Sequence, residues 1–152
     1  MLEIYVDADA CPVKDEVYRV AERYRLPVHV VSNGGVRVPD SPLIKRVIVP
    51  SGLDVADNWI AERAGPGDIV VTADIPLAAR AIAAGARAIP PSGKPFTEAS
   101  IGSIKATRDL MTALRDTGTI GGGGNAVFTK QDRSRFLSAL DTLVNAVKRN
   151  GR

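Results

Sequence analysis

One cysteine and one histidine occur among the 152 residues. The single thiol excludes an internal disulfide framework and any cysteine-only metal centre, and the single imidazole excludes a metal triad built on histidine. Aromatic residues make up 5% of the chain, with Trp59 the lone tryptophan. No run approaches the roughly 20 apolar residues that a membrane-spanning helix needs. Glu3, Asp7, Asp9, Asp15 and Glu16 crowd the first 16 residues. They leave no room for the basic start and apolar stretch of a secretory leader. A cytoplasmic protein with no membrane partner is the expectation.

Hydrophobic residues at 45% and charged residues at 24% are ordinary for a globular chain and argue against disorder. The length suits one domain, at roughly 100–200 residues each, able to bury about 68–70% of its unfolded surface. The net charge of +3 is unevenly spread. Residues 1–100 hold 11 Lys/Arg against 13 Asp/Glu, whereas residues 101–152 hold 9 against 4. A basic C-terminal region points to a polyanionic partner, or equally to a solvated helix face. Oligomeric state is not legible.

No internal repeat is present, and strand and helix patterns alternate. Leu2–Val6 is a short β-branched and aromatic run that stops at Asp7, as a buried strand would. Pro12 opens a helical pattern in which Val13, Val17, Val20, Ala21 and Tyr24 share a face; proline suits a first helical turn. Pro27–Val31 is a second strand, and Leu43–Val49 a third beyond an Asn33-Gly34-Gly35 loop. With no helix between them, the third segment is open to an irregular or antiparallel placement. Asp54 starts a second helix, Asp68–Thr72 is a nearly all-apolar fourth strand, Asp74 caps the helix Pro76–Ala84, and Ala86–Ile89 is a fifth strand. Ile104, Leu110, Met111 and Leu114 make one helical face, Gly121–Gly124 break the pattern, and Thr129–Val147 forms the last helix. Together these predict an α/β three-layer sandwich with a mostly parallel central sheet of about five strands. The single domain, residues 1–152, comprises an α/β core (1–100) and a helical C-terminal extension (101–152) containing the glycine loop 121–124.

Sites in open parallel sheets form beyond the carboxyl ends of strands, at the topological switch point. The first strand ends in Asp7-Ala8-Asp9 and the fourth in Thr72-Ala73-Asp74, while Asp54 and Asp57 lie three apart at a helix start, on one face. If these carboxylates converge they repel, at about 3 kcal/mol per pair for a separation of ~5 Å and an effective dielectric of ~20. Such a cluster needs a cation, and Mg²⁺ or Mn²⁺ take oxygen ligands, activate water and clamp a phosphodiester. Asp7, Asp9, Asp54, Asp57 and Asp74 are therefore the catalytic candidates, with Asp7, Asp54, Asp57 and Asp74 as metal ligands. Read singly, Asp54 and Asp74 suit helix N-caps and Asp57 a first-turn acid.

Candidates for substrate contact are Thr72, Lys14, Arg37 beside the Asn-Gly-Gly loop, and the basic first turn of the last helix, Lys130, Arg133 and Arg135. Cations at a helix start oppose the dipole, which is why that last placement points to phosphate; Arg19 on the first helix could also reach phosphate. Thr129 and Asp132 have the spacing of a capping box. Cys11 stands among acids, which disfavour a thiolate. His29, in mid-strand, reads as structural, and Trp59 as core. The glycine run 121–124 lacks the pattern of a phosphate-binding P-loop.

The segments Val6–Lys14 (VDADACPVK), Gly52–Trp59 (GLDVADNW), Gly67–Leu77 (GDIVVTADIPL) and Lys130–Asp141 (KQDRSRFLSALD) resemble the YaiI/YqxD family of bacterial proteins, over nearly the whole length. That family in turn resembles the PIN-like nuclease group, whose acids around Mg²⁺ or Mn²⁺ imply Asp7, then Asp54 or Asp57, then Asp74 here. The group's further acid after the fourth strand is replaced by Ile75-Pro76-Leu77, with Asp9 in a position to compensate. The acidic cluster, the absence of any other catalytic group and the basic C-terminal region give the first expectation, a metal-dependent nuclease acting on RNA rather than DNA. Two alternatives stay open. In a haloacid-dehalogenase-type phosphatase Asp7 would be the nucleophile and Asp9 the general acid, although Cys11-Pro12 departs from that group's pattern. The other is a nucleic-acid-binding module without catalysis.

Overall fold

The computed structural model describes residues 2–8, 11–34, 37–52, 55–97, 99–101 and 129–150. Asp9, Asp54, the helical face of Ile104, Leu110, Met111 and Leu114, and the glycine loop 121–124 lie outside the described residues. The elements are β1 (Ile4–Asp7), α1 (Lys14–Tyr24), β2 (Val28–Ser32), β3 (Ile44–Ile48), α2 (Val55–Arg63), β4 (Ile69–Val71), α3 (Ile75–Ala83), β5 (Arg87–Ile89) and α4 (Lys130–Asn150). All strand pairs are parallel, in the order β3-β2-β1-β4-β5.

Alternation within each strand divides the core in two. Ile4, Val6, Val28, Val30, Ile69 and Val71 face α1 and α4. Tyr5, Val31 and Val70 face α2 and α3. Successive strand side chains point to opposite faces, so a strand covered on both sides must be apolar at every position. The three-layer expectation is met, with a sheet parallel throughout.

The third strand departs from the open expectation of an irregular or antiparallel segment. β3 pairs in parallel with β2, from Val28↔Ile44 to Ser32↔Ile48. A five-residue strand rises only about 17 Å, and residues 33–43 can span that distance without a helix at ~3.3 Å per residue. Val38 and Leu43 on this connection pack against the main core, and Ser41 Oγ bonds Glu22 Oε2 of α1 at 2.6 Å.

α4 lies alongside α1, first turn beside first turn. Arg133 donates to the Pro12 carbonyl (2.6 Å) and faces Glu16 Oε1 (3.4 Å) at the start of α1. Asp141 accepts from Arg23 Nη1 (2.5 Å) and Tyr24 O–H (2.8 Å) at its end. Asn145 Nδ2 donates to the Tyr24 oxygen (3.1 Å) and to Asp141 Oδ1 (3.0 Å). Between these polar ends Phe136, Leu140 and Val144 are fully buried. Gly93 permits the close approach of its loop to α4: its φ is +90°, and a Cβ there would come within 3.3 Å of the Phe136 backbone.

Helix α1 ends on Arg25, whose φ of 55° and ψ of 54° are left-handed, with Leu26 N–H returning to the Ala21 carbonyl at 2.9 Å. A side chain in that region costs about 1–2 kcal/mol, which glycine avoids at the expense of a freer unfolded chain. Arg25 is exposed, so Arg25→Gly is expected to stabilise the fold by roughly 0.5–1 kcal/mol in urea denaturation. A loss of stability would mean that the arginine side chain contributes more than its backbone costs.

Candidate functional site

β1 and β4 are adjacent at the centre of the sheet, and the chain leaves them toward opposite faces. α1 follows β1 on one side and α3 follows β4 on the other. Their carboxyl ends are thus the topological switch point, where parallel sheets open a crevice. Asp7 is the last residue of β1, and its neighbour Val6 pairs with Val71. Thr72, one residue past β4, is 2% exposed. Its hydroxyl donates to Asp7 Oδ2 (3.0 Å) and accepts from Asp74 N–H (3.0 Å). Asp74 Oδ1 in turn accepts from Leu77 N–H at 2.9 Å and caps α3. A hydrogen-bonded chain, Asp7–Thr72–Asp74, joins the ends of two central strands to the start of a helix.

The structure therefore brings Asp7, Thr72 and Asp74 together. Asp74 is the helix cap, and its backbone N–H shares the Thr72 hydroxyl with the Asp7 carboxylate. Asp57 sits half-buried on the first turn of α2. Among the described residues no three His, Cys, Asp or Glu side chains form a set that could hold a metal ion. The donor chemistry of Asp7 and Asp74, hard carboxylate oxygens, suits Mg²⁺ or Mn²⁺. The remaining sequence candidates, Asp9 and Asp54, lie outside the described residues.

The candidate substrate contacts fare differently. Lys14 Nζ is turned onto the Cys11 carbonyl (2.8 Å) and the Ala8 carbonyl (3.4 Å), where it holds the loop after β1. Arg37 is exposed on the β2–β3 connection. Arg135 faces Asp132 at 3.5 Å. Arg133 is held by Pro12 and Glu16, and Lys130 is exposed. The capping box is formed: Thr129 N–H donates to Asp132 Oδ2 and Asp132 N–H to Thr129 Oγ1, both at 3.0 Å. The Thr129 amide and hydroxyl, with Arg135 nearby, hold the Asp132 carboxyl below its usual range.

Sequence reasoning missed Ser32 and Glu16. Ser32 is fully buried at the end of β2, one residue past the ladder partner of Asp7, and its Oγ accepts from Gly34 N–H at 3.2 Å. The available signal was a small hydroxyl ahead of Asn-Gly-Gly. Glu16 is a nearly buried carboxylate on the apolar side of α1, and its partner Arg133 is too distant in sequence to be inferred.

His29 proves structural: its Nε2 lies 2.5 Å from Glu3 Oε1, and its ring stacks on Tyr5 at 4.8 Å. Trp59 packs half-buried beside them, with the Arg63 guanidinium 4.1 Å from its ring centre. Cys11 is 6% exposed. Burial pushes its thiol up, with Asp7 and Glu16 adding to the shift, while the Val13 amide and Lys14 oppose it.

Comparison with known proteins places these residues in a wider set. The family profile described as "Uncharacterized BCR, YaiI/YqxD family" matches residues 5–146. Among similar relatives, a UPF0178 protein of Rhodopseudomonas palustris is 64% identical over 149 residues, covering 98% of this chain and 94% of the relative. One from Parvibaculum lavamentivorans is 62% identical over 149 residues (98% and 97%). Another, from a Bradyrhizobium species, is 60% identical over 148 residues (97% and 90%). No solved structure matches the chain.

Two outcomes follow from this geometry. Thr72→Val removes the donor to Asp7 and the acceptor for the Asp74 amide while keeping the shape. It should cost about 1–3 kcal/mol in thermal or urea unfolding; an unchanged midpoint would show that water replaces both bonds. For Cys11, a raised thiol pKa leaves less thiolate below that pKa. Alkylation of the native protein at pH 7.5 should be at least about tenfold slower than in urea and should rise with pH. Equal rates in the two states would contradict the burial.

Proposed function

The chain belongs to the YaiI/YqxD family, and from that premise we propose that it is a divalent-metal-dependent nuclease that hydrolyses phosphodiester bonds in RNA. The observation that carries this reading is the Asp7–Thr72–Asp74 chain at the carboxyl ends of the two central strands. It joins the Asp7 carboxylate to the start of the Asp74-capped helix through one buried hydroxyl, and among the described residues no serine–histidine or cysteine–histidine pair competes for the chemistry. His29 is bound to Glu3, and the Cys11 thiol is pushed away from its thiolate.

Asp7 and Asp74 would hold the Mg²⁺ or Mn²⁺, completed by Asp9 or Asp54 from the sequence set; Asp57 does not join them in a three-acid set. When bound, such an ion would make hydroxide available as a nucleophile near neutral pH and would supply charge to neutralise the phosphate oxygens. The protein's own contribution is positional. Thr72 fixes one oxygen of Asp7 through its hydroxyl, and the α3 cap fixes one oxygen of Asp74. The two carboxylates are thereby oriented before any ligand arrives, which lowers the entropy cost of assembling the site.

The test uses Mn²⁺ calorimetry and cleavage of a labelled single-stranded RNA in the same buffers. Asn accepts the Thr72 hydroxyl and caps a helix about as well as Asp, so Asp7→Asn with Asp74→Asn removes charge while keeping the fold. The expected result is wild-type metal binding and RNA cleavage. In the double variant both should fall by more than the about 10–100-fold that loss of a residue bonded only to a metal ligand costs, with an unchanged melting curve. Absence of Mn²⁺ binding at millimolar concentration defeats the proposal. Beryllium fluoride bound at Asp7 without RNA cleavage would favour the aspartyl-phosphatase alternative.

A further inference from the structure

Arg133 has a second consequence. By reaching from α4 to the Pro12 carbonyl (2.6 Å) and to Glu16 (3.4 Å), it draws the first turns of α1 and α4 together around a notch. The notch encloses about 290 Å³ and is lined by Glu16, Arg19, Lys130, Arg133, Ser134 and Leu137. Three of these carry positive charge. The one carboxylate, Glu16, is 9% exposed and turned to Arg133. Arg19 and Lys130 are exposed, and among the described residues neither forms a hydrogen bond or ion pair. Two cations therefore face solvent across a recess whose volume is near the lower end of small-ligand sites, ~300 Å³.

The Thr129–Asp132 cap already uses the Thr129 and Asp132 amides at the start of α4. The three cationic side chains are what distinguishes this recess as a site for an anion. The notch also adjoins the loop after β1. Cys11 N–H returns to the Ala8 carbonyl at 3.3 Å, and Lys14 ties Ala8 and Cys11 to the start of α1. Asp7 lies close enough for its charge to bear on the Cys11 thiol. A basic recess and the acidic strand ends are thus joined through one short loop.

We propose that Arg19 and Lys130, with Arg133 positioned by Pro12 and Glu16, form a phosphate subsite that grips the backbone of single-stranded nucleic acid beside the Asp7–Asp74 edge. The placement next to that edge rests on the proposed function; the grip itself does not. A recess between two helices admits one chain more readily than the broad face of a duplex. Contact with phosphates releases counterions, which makes affinity depend steeply on salt. Arg135, paired with Asp132, lies outside the subsite.

The experiment is fluorescence anisotropy with a labelled single-stranded RNA, in EDTA, across a salt series, on the full chain. Arg19→Ala with Lys130→Ala removes the two cations that make no ion pair among the described residues, so the fold should persist, as a melting curve verifies. The affinity should fall about tenfold or more, and the slope of log K against log salt should shrink by about 1.4, at ~0.7 per lost phosphate contact. The charge-matched control, Arg87→Ala with Arg149→Ala, should leave both nearly unchanged.

Unchanged affinity and slope in the Arg19/Lys130 variant would overturn the proposal. So would an equal loss in the control, which would mean general electrostatic attraction, or equally tight duplex binding with the same residue dependence. Because EDTA removes any metal, the affinity and salt slope measured here do not pass through metal held by the acidic residues. The subsite then stands or falls separately from the nuclease reading.

Discussion

The strand Ile4–Asp7 is hydrogen-bonded along both edges, to β2 on one side and β4 on the other, and its side chains are buried on both faces. Such a strand tolerates only apolar residues until it emerges from the sheet. Emergence happens at Asp7, which is partly exposed after three buried residues. The placement of every other element follows from this. α1 must cover one face and α2 with α3 the other, because both faces of β1 and β4 carry apolar side chains that water would otherwise meet. The point at which coverage switches sides is the same point at which Asp7 and Asp74 arrive.

Polar interactions are concentrated at the two ends of this arrangement. At the carboxyl ends of the central strands, Thr72 satisfies a carboxylate and an amide with one buried hydroxyl. Along the α1–α4 seam, Arg133 and Asp141 tie the first and last turns of α1 to α4, while Phe136 and Leu140 between them are fully buried. The Arg23–Asp141 pair has an exposed arginine side chain, and exposed pairs contribute little to stability. The half-buried Tyr24 hydroxyl, bonded to Asp141 and Asn145, is the firmer tie. The apolar residues supply the driving force of the seam, and the polar ends set its register.

The five strands and the helices among the described residues are legible because each carries a local pattern: short continuous apolar, β-branched runs for strands, period 3.6 for α1 and α4, proline and aspartate at helix starts. The caps at Asp74 and at Thr129–Asp132 were legible for the same reason, since a cap is a contact over three residues. The parallel placement of β3 was not, because no local pattern distinguishes parallel from antiparallel pairing when the connection lacks a helix. Lys14 illustrates a similar limit at the site. Its sequence position suits phosphate contact, but its ammonium meets the carbonyls of the loop it follows. Arg133, a phosphate candidate by its place in the sequence, is held in position by Pro12 and Glu16. Those partners lie 121 and 117 residues away, beyond any short-range pattern.

By itself the sequence determined which segments are strands and helices, which residues are apolar enough to be buried, and that acidic residues stand at the ends of two apolar runs. These are consequences of backbone geometry and side-chain transfer, which act over a few residues. Only the tertiary structure decided that β1 and β4 are neighbours, that Thr72 bridges Asp7 to Asp74, and that Arg19 and Lys130 share a recess while Arg133 is held at its wall. Those facts depend on strand order and helix packing. Burial of all the apolar faces at once selects them, and no single segment contains that information.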